Sequence, residues 1–341
     1  MLKDLFKKLM YSSGALGLYH RLCNGRKLTV VMFHRTLAAG DPRHGSSDPD
    51  YTLEPERLAQ SFAFFKRHYH VVSLQQVLDC RRQDTPLPSR PLLITFDDGW
   101  ADNADYALPE LKRAGIPALM FVVADAVGQR QPFYQERLIG AWRRGKLSVV
   151  ELGARLAPHF PMDIGPLDES AASLRRLIAG LEDLDGTTRE SALAGIGIDL
   201  DDGLRHMVDR EELLQLEQGG MALGLHGKTH VPMTRVADVD VELSGAREAL
   251  ADVLGRPASS LVSMSFPHGA HDTSIAAKAH EAGYELVFTS VPVLNPANEG
   301  IGWLLGRTGY ETGTVVDGRG DFRPDLLALY LFRRASRRLA A

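Results

Sequence analysis

Apolar residues in this chain gather into short unbroken runs, separated by stretches of helical period. Leu28-Thr-Val-Val-Met-Phe33 and Leu92-Leu-Ile-Thr-Phe96 are apolar, contain β-branched residues and end at charged residues. Such runs read as buried strands. Val71 to Leu74, Gly115 to Val123, Gly219 to Leu225, Leu261 to Phe266, Glu285 to Ser290 and Trp303 to Arg307 add further strands. Between them lie helices with amphipathic spacing: Glu56 to His68, Leu74 to Cys80, Asn103 to Ala114, Val239 to Leu254 and Ser274 to Ala282. Pro109 falls inside one of these and is tolerated there only at a local cost. Strand, helix and strand at this spacing predict βαβ units and a parallel sheet.

The rhythm breaks between Gln131 and Gln218, a stretch rich in Leu, Ala, Arg and Glu with few strand signals. It reads as a helical insertion (131–218) covering one side of the fold. Near its end, Asp209 with Glu212 reads as a capping box for a helix from Arg210 to Leu216. Ala38 to Pro55, rich in Gly, Pro, Asp and Ser, reads as a loop on the rim of the site. The first 27 residues form an amphipathic helical segment, with Leu2, Leu5, Phe6, Leu9 and Met10 among Lys3, Lys7 and Lys8. Residues 311–341 form a basic C-terminal segment, in which the apolar run from Leu326 to Phe332 leads to Arg333, Arg334, Arg337 and Arg338. No repeat or linker divides residues 28–310, which read as one domain.

Composition narrows the classes. At 341 residues, 44% hydrophobic and 24% charged, the chain is an ordinary globular sequence. A net charge of −4 argues against nucleic-acid binding. Cys23 and Cys80 make neither a disulfide framework nor a CxxC metal site. No apolar run is long enough to span a bilayer, and the first residues lack the pattern of a secretory signal. The expected location is therefore the cytoplasm. The two basic amphipathic ends allow peripheral contact with the inner membrane face.

The chemistry gathers at strand ends. Asp97-Asp98-Gly99-Trp100 follows a buried strand directly, and adjacent carboxylates there are costly unless a partner needs them. His226 and His230, four apart after another strand, can both face one metal ion. Gly227 stands where a helical zinc protease carries its glutamate, so a general base must come from elsewhere. One of the two aspartates can complete a two-His, one-Asp site, which leaves the other to take a proton. That donor set suits zinc and accepts cobalt, manganese or nickel. His34 ends the first strand, where it is either a satisfied structural histidine or a catalytic one.

Thr95-Phe-Asp-Asp-Gly99, His226-x-x-x-His230 and Phe266-Pro267-His268-Gly269 resemble the first three motifs of the polysaccharide deacetylases, carbohydrate esterase family 4. The likeness runs from about Leu28 to Tyr310, the insertion apart. It implies a distorted, incomplete (β/α) barrel of about seven strands with a metal-dependent N-deacetylase site at the C-terminal rim. Position by position, it implies Asp97 as general base and Asp98, His226 and His230 as metal ligands. Phe266, Pro267, His268, Gly269 and Trp100 would line the substrate and oxyanion side, with the His268 backbone N–H aimed at the oxyanion.

Two departures stand out. Ser265 occupies the place of the arginine that orients the catalytic aspartate in the family, and Arg307 is a candidate replacement, a surface salt bridge being the equal alternative. No late histidine motif follows Trp303. Val31-Met-Phe-His34 instead fits the circularly permuted order of the biofilm poly-N-acetylglucosamine deacetylases, in which His34 would be the acid. The implied reaction is hydrolysis of an N-acetyl group on an amino sugar of a surface polysaccharide, oligosaccharide or lipid-linked saccharide. The alternatives are an impaired metal- or saccharide-binding protein and a hydrolase of another amide or ester. A glycosidase fits less well, since it needs two carboxylates on opposite sides of a glycosidic bond.

Overall fold

The computed structural model describes residues 2–83, 85–196, 200–298 and 300–340. Residues 1, 84, 197–199, 299 and 341, which fall within the segments anticipated above, lie outside them. The barrel strands are β1 (Lys27–Phe33), β2 (Pro91–Phe96), β3 (Ala118–Val122), β4 (Met221–Leu225), β5 (Ser263–Ser265), β6 (Leu286–Phe288) and β7 (Leu304–Leu305). They pair in that order, each parallel to the next. All six residues of β2 are buried, as a strand covered on both faces requires. Asn295–Pro296 adds a short antiparallel strand beside the start of β1.

The anticipated last strand is split, and the split nearly closes the ring. Leu304–Leu305 pairs with β6, whereas Thr308–Gly309 pairs with β1 on the opposite edge. Gly306 sits at the crossing because a Cβ there would lie 2.4 Å from Val293 Cγ2 and 2.5 Å from the Val291 carbonyl oxygen. Arg307 is thereby turned into the barrel.

The helix before Pro109 is also altered. Asn103–Ala107 is a π-helical turn, and the α-helix proper runs from Leu108 to Ala114. A proline that cannot donate to the preceding turn accounts for the wider coil.

The insertion carries its own core. Helices Tyr134–Arg143, Val149–Leu156, Ala171–Glu182 and Gly186–Ala194 bury Leu138, Leu152, Leu177 and Leu181 against one another. The first of them packs on Pro42–Ser46, a 3-10 turn within the rim loop. Asp209 caps Arg210–Gln218 reciprocally with Glu212, as the spacing predicts.

At the chain ends, α1 (Leu2–Ser12) and α2 (Ala15–Cys23) pack with the Pro324–Phe332 helix. Leu327, Ala328, Leu331 and Phe332 of that last helix are fully buried. The C-terminal apolar run therefore belongs to the core rather than to an exposed amphipathic end. No described helix is long and apolar enough to cross a membrane.

Candidate active site

Register puts the chemistry on one rim. β1 and β2 pair Phe33 with Phe96, and β3 and β4 pair Val122 with Leu225. The residues that follow, His34, Asp97, Asp98 and His226, therefore emerge at the same C-terminal edge, where parallel barrels build their sites. They line a cavity of about 490 Å³, a size suited to a small ligand. The insertion roofs it through Phe133, Glu136, Arg175 and Glu182.

Asp98, His226 and His230 place one ligand atom each within 4.8 Å of one another. Asp98 Oδ1 lies 3.4 Å from His226 Nε2 and 3.2 Å from His230 Nε2. The other carboxylate oxygen, Oδ2, accepts a 2.9 Å hydrogen bond from Trp100 Nε1. That bond turns Oδ1 toward the imidazoles. Trp100 is buried and thus acts on Asp98 as well as lining the cavity. His226 Nδ1 lies 3.1 Å from the Ser265 carbonyl oxygen and 2.6 Å from its Oγ, so a proton on Nδ1 leaves Nε2 free as a donor to metal. Burial pushes the His226 imidazole down to about 4, which keeps it neutral near pH 7. A set of two imidazoles and one carboxylate fits a divalent transition metal.

Asp97 stands beside this triad with a different partner. Arg307 NH1 donates to its Oδ1 at 2.6 Å and NH2 to its Oδ2 at 2.8 Å, a bidentate fork. Arg307 is 0% exposed, so the pair is buried and not a surface salt bridge. Its Nε donates to the Thr289 carbonyl, and its guanidinium lies over the Phe121 ring. Burial pushes the Asp97 carboxyl up, but Arg307, with His226 and His34, outweighs it and holds the group below the ordinary carboxylate range. Asp98 is likewise held low, with burial overcome chiefly by His230.

The remaining predicted residues sit around these. His34 lines the cavity with its ring 4.9 Å from Tyr51, and Asn103 Nδ2 donates to its carbonyl. Phe266, His268 and Gly269 line the opposite wall. Pro267 is buried and instead lies under the His226–His230 loop, 3.0 Å from where a Gly227 Cβ would stand. Among the described residues, four non-glycines adopt positive φ, and three are Asp98, His230 and His268. Strain of that kind, about 1–3 kcal/mol each, persists where the surroundings over-determine a site.

Sequence reasoning missed the layer behind the aspartates. Arg35 is buried, bonded to Asp102 at 2.7 and 2.9 Å and to Glu136 at 2.6 Å, with its guanidinium 4.2 Å above the Trp100 ring. It ties the insertion to the motif, since Glu136 belongs to the insertion and Trp100 holds Asp98. Its adjacency to His34 was the only local signal.

The polysaccharide deacetylase family profile matches residues 84–287. The chain is 36% identical over 56 residues to YxkH of Bacillus subtilis (strain 168), a protein named for the same family. That match spans only 16% of this chain and 20% of the relative. Among solved structures, the fold is similar to the Streptococcus pyogenes deacetylase PplD in complex with acetate, with TM-score 0.56 and 14% identity over 90% of this chain and 99% of that one. It is also similar to IcaB from Ammonifex degensii, with TM-score 0.55 and 17% identity over 91% and 98%. At these identities the likeness concerns the fold.

Proposed function

The chain belongs to the polysaccharide deacetylase family, and from that premise we propose a metal-dependent hydrolase that removes N-acetyl groups from amino sugars. Its substrate would be a surface polysaccharide, an oligosaccharide or a lipid-linked saccharide of bacterial type. One observation carries the reading. Two adjacent aspartates at one strand end have separate partners, Asp98 facing His226 and His230 and Asp97 gripped by Arg307.

A divalent ion, zinc by preference, held by Asp98, His226 and His230 would supply Lewis acidity toward the acetamide carbonyl and the attacking water. Asp97, kept ionised by Arg307, takes a proton from that water as its oxygen bonds to the carbonyl carbon. The His268 backbone N–H faces the developing oxyanion. His34 gives a proton to the amine nitrogen as the C–N bond breaks, leaving acetate and a free amino sugar. Trp100 and Ser265 hold Asp98 and His226 in the orientations this needs. The binding-protein alternative rested on the missing arginine at Ser265, and Arg307 supplies a guanidinium to Asp97 from the crossing between Leu304–Leu305 and Thr308–Gly309.

Acetate release from N-acetylglucosamine oligosaccharides tests the proposal. Release is expected from the purified protein, abolished by chelator and restored by zinc. No release from any N-acetylated saccharide would sink the hydrolase, and release indifferent to chelator would sink the metal. His34→Ala is expected to lower kcat by about 10²-fold, the lower end of the range for general acid–base catalysis. An unchanged kcat removes His34 from the reaction.

A further inference from the structure

The hydrolase reading leaves one surface unused. On α1 the side turned inward is mixed: Met10 and Tyr11 pack on the core, Asp4 Oδ1 pairs with Arg323 Nη2 at 2.8 Å, and the Tyr11 hydroxyl lies 3.2 Å from His68 Nε2. Three large apolar side chains are nevertheless turned outward, Leu5 64%, Phe6 61% and Leu9 61% exposed. A surface helix normally does the reverse. α2 repeats the arrangement: Leu18, Tyr19 and Leu22 are 57%, 43% and 76% exposed, while Leu16 and His20 are buried, the His20 ring stacked on Phe332. Of the ten large apolar side chains exposed among the described residues, six lie on these two helices, at the same i, i+1, i+4 spacing on each. Exposed apolar side chains gathered on two helices that touch each other mark an interaction site.

The charges bordering the patch identify its partner. At about 100° per residue, Lys3 and Lys8 flank the Leu5–Phe6–Leu9 arc on its two sides, and Arg21 borders the α2 arc. All three are exposed; the one acidic residue of α1, Asp4, is half-exposed, tied to Arg323 at 2.8 Å and 3.8 Å from Lys8, and so offsets only part of this basic rim. An apolar stripe edged by long basic side chains matches the boundary of an anionic bilayer, where the aliphatic stems lie on the apolar side and the charges reach headgroup phosphates. Two copies of this chain meeting through the patch would instead set like-charged rims against each other.

We infer that α1 and α2 form a membrane-surface docking face, with six apolar side chains at the acyl boundary of an anionic leaflet and Lys3, Lys8 and Arg21 at headgroup level. The protein lies on the membrane by this face and does not span it. The inference stands independently of the hydrolase reading.

Sedimentation of the full chain with vesicles of equal phosphatidylcholine and phosphatidylglycerol tests it. Binding is expected, weaker at high salt and weaker on phosphatidylcholine alone. The triple variant Phe6→Ser, Leu9→Ser, Leu22→Ser should bind at least about tenfold more weakly, because each change removes most of one apolar contact. Lys3→Glu with Lys8→Glu should abolish the preference for anionic vesicles. All five positions are exposed, so both variants should melt like the parent. The inference is overturned if the parent does not sediment with anionic vesicles or if the serine variant binds equally well. A solution dimer that the serine changes dissolve would overturn it too.

Discussion

Asp97→Asn is expected to release acetate about 10³–10⁴-fold more slowly than the parent, the upper range for loss of a general base, while retaining its metal. The amide matches the carboxylate in size, so the cavity keeps its shape, but it cannot accept the proton from water. Metal is retained because the converging donors are Asp98, His226 and His230. Asp97 Oδ2 stands further off, 3.9 Å from His226 Nε2. The substitution has a structural cost as well. The new NH₂ group must face one of the Arg307 N–H donors, leaving a buried guanidinium without its charged partner, a loss of about 3–5 kcal/mol. Against a typical folding stability of about 5–15 kcal/mol, the variant still folds but melts earlier. Turnover must therefore be counted per folded, metal-loaded molecule. Asp98→Asn is the control and should lose metal and activity together. If Asp97→Asn empties the metal site, the two aspartates have exchanged roles; if it keeps its turnover, Asp97 is not the base.

How much of this was legible in the sequence depended on whether the signal was local. The strand Leu92–Phe96 and the pair Asp97-Asp98 announce each other, because charge directly after a fully apolar run calls for a partner. His226 and His230 are four residues apart and need only one loop to converge. Arg307 was visible merely as a candidate, for its carboxylate lies 210 residues away and only barrel closure joins them. The split of the last strand around Gly306, which aims Arg307 inward, depends on Val291 and Val293 behind it and leaves no periodic trace. The Arg35–Asp102–Glu136 cluster combines three distant positions, none unusual alone. The C-terminal helix misled because its arginines suggested an amphipathic end. A run that is apolar all round reads as a buried helix, and Pro324–Phe332 is one. On α1 the amphipathic pattern was legible, but which side faces the protein was not, because that depends on distant partners such as Arg323, which pairs with Asp4.

Arg307→Met is expected to lower kcat by about 10²-fold, the scale of a misplaced catalytic group, and to move the acid limb of the pH–rate profile to higher pH. The direction follows from the opposed influences on Asp97. Burial raises its carboxyl pKa while Arg307, His226 and His34 lower it, so removing the guanidinium shifts the balance toward burial. In the parent, the stabilisation of this carboxylate is present above the ordinary carboxylate pKa and is lost as pH falls through the lower folded value. The variant forfeits that margin, so acid should both inactivate and unfold it sooner. Arg307→Lys separates charge from geometry. A single ammonium can replace the charge but not the fork that meets both oxygens at 2.6 and 2.8 Å. Lysine should thus recover much of the melting temperature and return the acid limb toward its parent position, yet leave kcat depressed with KM little changed. That division marks Arg307 as a positioning residue acting through Asp97. If Arg307→Met instead lowers only the melting temperature, and its folded fraction turns over like the parent, the guanidinium is a structural counter-ion and the aspartate needs no partner to act as base.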